Sequence, residues 1–94
     1  MIKHVYLIQL IDRSKAHECM EQIRSLKAHI PQLYRVEVGQ DFIGAPASYD
    51  VIEICEFLTQ EDFEIFTNHP YHEQIRAYIT TIKKNAIKVD YVID

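Results

Sequence analysis

The sequence predicts an α+β fold in which strands and helices alternate along the chain. Segments rich in β-branched and aromatic residues indicate four strands. Between them lie segments whose apolar residues recur every three or four positions, the spacing of one helix face. Together these observations predict the order β-α-β-β-α-β, with a proline interrupting the second helical region.

The first strand and the first helix are predicted at residues 2–11 and 14–29. The strand is apolar on both faces, so both faces should be covered. Asp12 or Ser14 can cap the start of the helix, and Pro31 marks its end.

Three further strands are predicted at residues 33–41, 49–57 and 86–93. The second and the last show apolar and polar alternation, whereas the third is apolar on both faces. The loop between the second and third strands contains the breakers Gly44, Pro46 and Ser48.

The second helical region is predicted as two helices. Thr59 suits a helix start, and that helix should run to about Thr67. Pro70 lacks an N–H and restricts the residue before it, so one helix should end before it and another should begin there. The second of these helices is predicted at residues 71–84.

This order is that of the ferredoxin-like fold, with both helical regions on one face of a four-stranded antiparallel sheet. The other face would be bare, yet it carries large apolar residues that a soluble monomer rarely exposes as a patch. We therefore expect a homodimer joined through the sheet faces, with two-fold symmetry.

Composition bounds the function of the 94 residues, which we interpret as one domain spanning 1–94. The net charge is −4 and the lysines and arginines are scattered, which argues against nucleic-acid binding. No apolar run is long enough for a membrane helix, and the N-terminus does not look like a signal peptide, so we expect a cytoplasmic protein. Cys19 and Cys55 lack metal-site spacing and are interpreted as buried reduced thiols.

Histidines are the main candidates for chemistry, because imidazole exchanges protons near neutral pH. His72 begins the last helix and could act as a general base, or it could merely bond to a backbone carbonyl. His4 could line the same cavity or be a core histidine satisfied by a hydrogen bond. His69 is expected to cap a helix. Two histidines without a third ligand are weak evidence for a metal, so no metal or cofactor is predicted.

Four blocks carry a family resemblance: Ile2-Lys3-His4-Val5, Ser48-Tyr49-Asp50, Asn68-His69-Pro70-Tyr71-His72 and Val89-Asp90-Tyr91. In this order, and over essentially the whole chain, they resemble the stress-responsive A/B barrel (Dabb) family. The resemblance implies a dimeric α+β barrel. One branch of that family closes polyketide chains by aldol condensation, with a histidine matching His72 and a tyrosine matching Phe66. Phe66 lacks the hydroxyl of that tyrosine.

Similar dimeric barrels include cofactor-free quinol monooxygenases and haem-degrading enzymes. Those proteins resemble each other in using a tryptophan, and this chain has none. The resemblance therefore gives little support to either activity here.

These observations predict a cavity between helices and sheet that binds or transforms a small, largely apolar molecule. His72 is the candidate base, and His4, Tyr6, Phe66 and Tyr49 are the candidate ligand-binding residues. Any enzymatic activity would be cofactor-free acid–base chemistry of a lyase or cyclase type. The alternative is a non-enzymatic, stress-associated oligomeric protein whose histidines are structural.

Asp50 and Glu53 are acidic residues of the third strand region. Asp50 could orient a histidine, although capping a turn is the more common role. Glu53 and Glu56 should lie on opposite faces of the strand. If the face of Glu53 were the dimer interface, this carboxylate would need a partner such as Arg35.

Overall fold

A four-stranded antiparallel sheet forms one layer of the computed structural model, which describes residues 1–93. The strands are β1 (Ile2–Leu10), β2 (Arg35–Gln40), β3 (Val51–Phe57) and β4 (Lys83–Val92), in the order β2-β3-β1-β4. β1 is central and pairs antiparallel with both β3 and β4. The predicted ferredoxin-like α+β fold is confirmed, and the sheet of one chain is open rather than closed into a barrel.

The helices are α1 (Ala16–Arg24), α2 (Leu26–His29), α3 (Gln60–Thr67) and α4 (Pro70–Ile82). The single helix predicted over residues 14–29 is instead a 3₁₀ turn followed by two helical pieces that meet at Ser25. The Ser25 hydroxyl contacts the carbonyl of Gln22 at 2.5 Å and the Tyr71 hydroxyl at 2.6 Å. Bonds from a serine hydroxyl to the backbone compete with regular helix geometry, which explains the interruption.

The break in the second helical region lies where proline predicted it. α3 begins after Thr59, whose hydroxyl accepts the Asp62 N–H at 3.0 Å. α4 begins at Pro70, and His69 caps it by accepting the Tyr71 N–H on Nδ1 at 3.0 Å. The prediction that His69 caps a helix is therefore confirmed.

Strand β4 follows α4 without an intervening turn. It begins at Lys83, three residues before the predicted start at residue 86, because the backbone becomes extended directly after Ile82. The Ile11 N–H also donates to the Ile82 carbonyl at 3.0 Å, so backbone pairing continues past the end of β1. No helix within residues 1–93 is long and apolar enough to cross a membrane.

The core lies between the helices and one face of the sheet, here called the inner face. Successive strand residues point to opposite faces, so even-numbered residues of β1 and odd-numbered residues of β3 share this face. The most deeply buried side chains of the core include Ile8, Cys19, Ile23, Ile30, Leu33, Cys55, Phe57 and Phe66.

The opposite face of the sheet, here called the outer face, carries apolar side chains without helices over them. Those of β1 and β3 are half-buried, whereas those of β4 are more exposed: Val5, Leu7, Ile52, Ile54, Ile87, Val89 and Tyr91. The predicted second apolar face is present.

The expected pairing of Glu53 with Arg35 at that face is wrong. Arg35 lies opposite Glu56 in the β2–β3 register and contacts its carboxylate at 3.7 Å on the outer face. Glu53 lies opposite Val38 and points to the inner face, where it is buried. Strand alternation therefore separates the two side chains.

Asp50 joins the end of β1 to the loop before β3. Its buried carboxylate accepts the Leu10 N–H at 2.7 Å and a guanidinium N–H of Arg13 at 3.0 Å. Asp50 thus has a structural role, but it joins β1 to Arg13 instead of capping a turn as expected, and no hydrogen bond links it to His4 or His72.

Replacing Asp50 by alanine should destabilise the protein by about 1–3 kcal/mol, because it leaves the buried Leu10 N–H without an acceptor. The exposed Glu64→Ala variant is the control and should change stability by less than about 0.5 kcal/mol. Urea unfolding at one fixed protein concentration measures both. Equal stability of the two variants would contradict this role.

Candidate functional site

A cleft of about 580 Å³ lies between the inner face and helices α3 and α4. Its size is within the range of about 300–1,000 Å³ typical of small-molecule sites. Four of the predicted site residues line it: His4, Tyr6, Phe66 and His72. Tyr49 does not line this cleft. It borders a separate hollow with Leu7 and Ile52, and its hydroxyl accepts a hydrogen bond from the Asn85 amide at 3.0 Å.

His4 lies between two carboxylates at the floor of the cleft. Its Nδ1 is hydrogen-bonded to Asp90 Oδ1, and its Nε2 is 3.7 Å from Glu53 Oε2. The register explains this arrangement, because Asp90 lies directly opposite His4 on β4. Glu53 lies on β3, the other neighbour of β1. It comes two residues before Cys55, the residue of β3 that is paired with His4. Asp90 therefore supplies the hydrogen-bond partner that a buried histidine requires, and Glu53 adds an acidic group near the other ring nitrogen.

Glu53 is the most deeply buried acid of the site. Burial raises the pKa of its carboxyl above the usual value, and the nearby His4 only partly opposes this. The Cys55 thiol donates to Glu53 Oε2 at 3.2 Å, and burial, followed by the Glu53 charge, raises the pKa of that thiol. Burial likewise raises the pKa of Cys19 to about 11. Both thiols are therefore protonated at neutral pH, which does not suit a nucleophile.

His72 is the third residue of α4, and it lines the cleft. Its ring packs against Phe66, with centroids 4.2 Å apart. Its Nδ1 is 3.3 Å from the Thr67 carbonyl oxygen and 3.2 Å from Arg76 Nη2. Burial lowers the pKa of His72, and the Arg76 charge adds to this, against the opposing effect of the Thr67 carbonyl. The imidazole is thus neutral at pH 7, the state that a general base requires.

The Phe66 ring lies near both histidines and contributes an apolar wall to the cleft. Its ring centroid is 6.5 Å from that of His4 and 4.2 Å from that of His72. Tyr6 stacks on His4 at 5.9 Å, and burial raises the pKa of its phenol, so the cleft holds a protonated hydroxyl at neutral pH. Tyr6 therefore supplies a hydroxyl to the site, although from the strand rather than from the position of Phe66.

Three residues near the two histidines were not predicted from the sequence as part of the site: Glu53, Asp90 and Arg76. For Asp90 a signal was available, because Ile87, Val89 and Tyr91 form one apolar face and place Lys88 and Asp90 on the other. For Arg76 the signal was its position four residues after His72, on the same helix face. Nothing in the sequence showed that Glu53 would lie near His4, since this depends on the β1–β3 register.

The remaining histidines lie away from the floor of the cleft. His17 and His29 are exposed, as expected, and His29 stacks on Tyr71 with ring centroids 3.8 Å apart. His69 uses Nδ1 to cap α4. Across residues 1–93 no three His, Cys, Asp or Glu side chains are grouped so as to hold a metal ion.

The lowered pKa of His72 can be tested by following its ring resonances by NMR. We expect its midpoint below the ordinary imidazole value of about 6.5. Because the folded-state pKa lies below the unfolded one, His72 should reduce stability as the pH falls from about 6.5 through the folded-state pKa. Arg76→Met should raise this midpoint by removing a nearby positive charge. The exposed Lys27→Met variant should leave it unchanged, and a midpoint above 6.5 in the wild type would contradict the burial argument.

Solved structures with the same fold include proteins with and without a stated function. A dimeric ferredoxin-like protein of unknown function from Thermobifida fusca is 21% identical, with a TM-score of 0.85 and coverage of 98% of this chain and 90% of that one. A Dabb family protein from Mesorhizobium loti is 19% identical, with a TM-score of 0.82 and coverage of 98% and 95%. A hydroxynitrile lyase from Passiflora edulis is 14% identical, with a TM-score of 0.83 and coverage of 99% and 93%.

At these identities the likeness shows the fold alone. No protein of curated function matches the chain. The family model described as the stress responsive A/B barrel domain matches residues 2–93, and the chain therefore belongs to the Dabb family.

Proposed function

We propose that the protein binds a small, largely apolar molecule in the cleft and transforms it by acid–base chemistry without a cofactor, with His72 as the base. The observation that carries this proposal is that His72 and His4 line one cleft and that the Phe66 ring lies near both. A histidine with a purely structural role need not line such a cleft, whereas both rings here do.

The roles that we propose for His72 and His4 follow from the surroundings of their rings. His72 is neutral and half-buried, so it can accept a proton from a bound molecule. His4 is held by its hydrogen bond to Asp90, and its Nε2 atom lies near Glu53. We assign to it the return of a proton to the departing group, a role that an imidazole can fill. The Tyr6 hydroxyl can donate a hydrogen bond to an oxygen of the ligand.

Hydroxynitrile cleavage is a reaction of this class, and one structural relative is a hydroxynitrile lyase. In this reaction a base removes the hydroxyl proton, and the carbon–carbon bond to the nitrile breaks. The nitrile carbon leaves with the bonding electrons and then takes up a proton. The reaction requires one proton acceptor and one proton donor, which the two histidines of the cleft can supply.

Racemic mandelonitrile is a suitable probe, because its cleavage releases benzaldehyde, which is followed by its absorbance. We expect turnover that His72→Ala reduces by about 10²–10⁴-fold, the usual contribution of a general base. His17→Ala, which alters an exposed histidine, should retain activity. Phe66→Tyr should increase turnover if a hydroxyl at that position assists. Turnover that persists in His72→Ala would exclude His72 as the base.

A second candidate function is that of a non-enzymatic oligomeric protein. Two observations favour it: the contact of His72 with the Thr67 carbonyl across the helix break, and the absence of a hydroxyl at Phe66. In that case His72→Ala would lower stability, and neither the wild type nor Phe66→Tyr would cleave mandelonitrile.

The assembly that we propose is a homodimer joined through the outer faces of two sheets, in the cytoplasm. Ile87, Val89 and Tyr91 are 49%, 62% and 44% exposed, and together with Leu7 they form an apolar surface on one chain. The relative from Thermobifida fusca is described as dimeric. Burying this surface against a second copy would complete the barrel, while the cleft stays on the inner face of each sheet.

Light scattering at micromolar concentration should give twice the monomer mass of 11.1 kDa. Val89→Glu should yield a folded monomer, because it places an unpaired charge in the apolar interface. Ile65→Lys is the control, since this partly exposed residue of α3 lies away from the sheet. A wild type that scatters as a monomer would exclude the dimer and the barrel with it.

A further inference from the structure

The cleft carries cationic side chains along one part of its wall. We propose that its ligand is an amphiphilic carboxylate, in which an apolar body enters the cleft and a single negative charge remains near Lys83 and Lys88. The inference rests on the proposed function, because it names the class of molecule that the same cleft would take.

Three cations from two adjacent elements line the cleft: Arg76 of α4 and Lys83 and Lys88 of β4. The side chains of Arg76 and Lys88 are 49% and 62% exposed, so their charged groups lie at the mouth rather than at the floor. These three cations outnumber the two acids of the lining, Glu53 and Asp90, on a chain whose net charge is −4. A negatively charged molecule would therefore be attracted to the mouth of the cleft.

Two of these cations already have anionic neighbours, and the third does not. Arg76 contacts Glu73 at 2.8 Å, and Lys88 contacts Asp90 at 3.6 Å. Within residues 1–93 Lys83 makes no ion pair, although it lines the cleft. Its ammonium is thus the group best placed to meet a carboxylate of the ligand.

The rest of the lining defines the apolar part of the ligand. Leu26, Phe63, Phe66, Ile75 and Ile79 form walls without charge. The acid that lies deeper than the lysines is Glu53, which is buried beside His4, and an acidic group there does not favour a second anion. An apolar end should therefore enter first, and a group with one negative charge is favoured over a doubly charged phosphate.

Octanoate and octan-1-ol are a matched pair of probes, because they have the same number of carbons and differ in charge. Binding is followed by amide shifts of cleft residues in ¹H–¹⁵N NMR spectra at pH 7.5 and low ionic strength. We expect octanoate to bind more tightly than octan-1-ol, and to lose affinity at high salt, since the mouth is solvent-exposed.

Lys83→Gln should weaken octanoate binding about threefold, and Lys83→Gln with Lys88→Gln about tenfold, as expected for exposed charges. Neither change should alter octan-1-ol binding. Lys84→Gln is the matched control, because this adjacent lysine is exposed and does not line the cleft. An equal loss in Lys84→Gln would indicate a general charge effect and overturn the proposal.

The two proposals fail in different ways. Equal affinity of the wild type for both probes would overturn the anionic ligand and leave the apolar cleft of the proposed function intact. Failure of both probes to shift cleft resonances would overturn the amphiphile and count against the cleft as a binding site as well.

Discussion

The central position of β1 is the constraint on which the rest of the structure depends. This strand forms backbone hydrogen bonds along both edges, and both of its faces carry apolar residues. His4 of this strand is buried and lines the cleft. His4 is stabilised because each neighbouring strand contributes one acidic residue. Asp90 of β4 is paired directly with His4, and Glu53 of β3 lies diagonally opposite it. The chemistry at the floor is thus a consequence of strand order.

The proline break has a comparable effect on the other wall of the cleft. Pro70 and the His69 cap fix the first turn of α4, and this turn places His72 against Phe66, at the end of α3. Arg76 follows one turn later and reaches both His72 and the Thr67 carbonyl. Local backbone chemistry at the break therefore determines both the position of the candidate base and the charge beside it.

The sequence predicted what depends on local chemistry and on side-chain period. Element order and the break at Pro70 follow from side-chain spacing and proline chemistry, whereas the link between His72 and Phe66 came only from the family resemblance. The split of the first helix at Ser25 was not predictable, because the Ser25 hydroxyl bonds to Tyr71, a residue distant in the sequence.

Contacts between residues of neighbouring strands were harder to predict from the sequence. The position of Glu53 beside His4 depends on the register between β1 and β3, which apolar alternation does not determine when both faces are apolar. For the same reason, alternation alone could not exclude Tyr49 from the cleft. Tyr49 lies just before β3, and its hydroxyl bonds to Asn85 at the start of β4.

The two faces of β1 also bear on how the protein can change over time. Even-numbered residues of this strand contact the cleft and core, whereas odd-numbered residues such as Leu7 contribute to the surface proposed for self-association. Side chains on the two faces point away from each other, so a substitution on one face does not add or remove atoms on the other. Mutation can therefore vary ligand preference while assembly is maintained, which provides a physical route by which one small scaffold could diversify its chemistry among homologues.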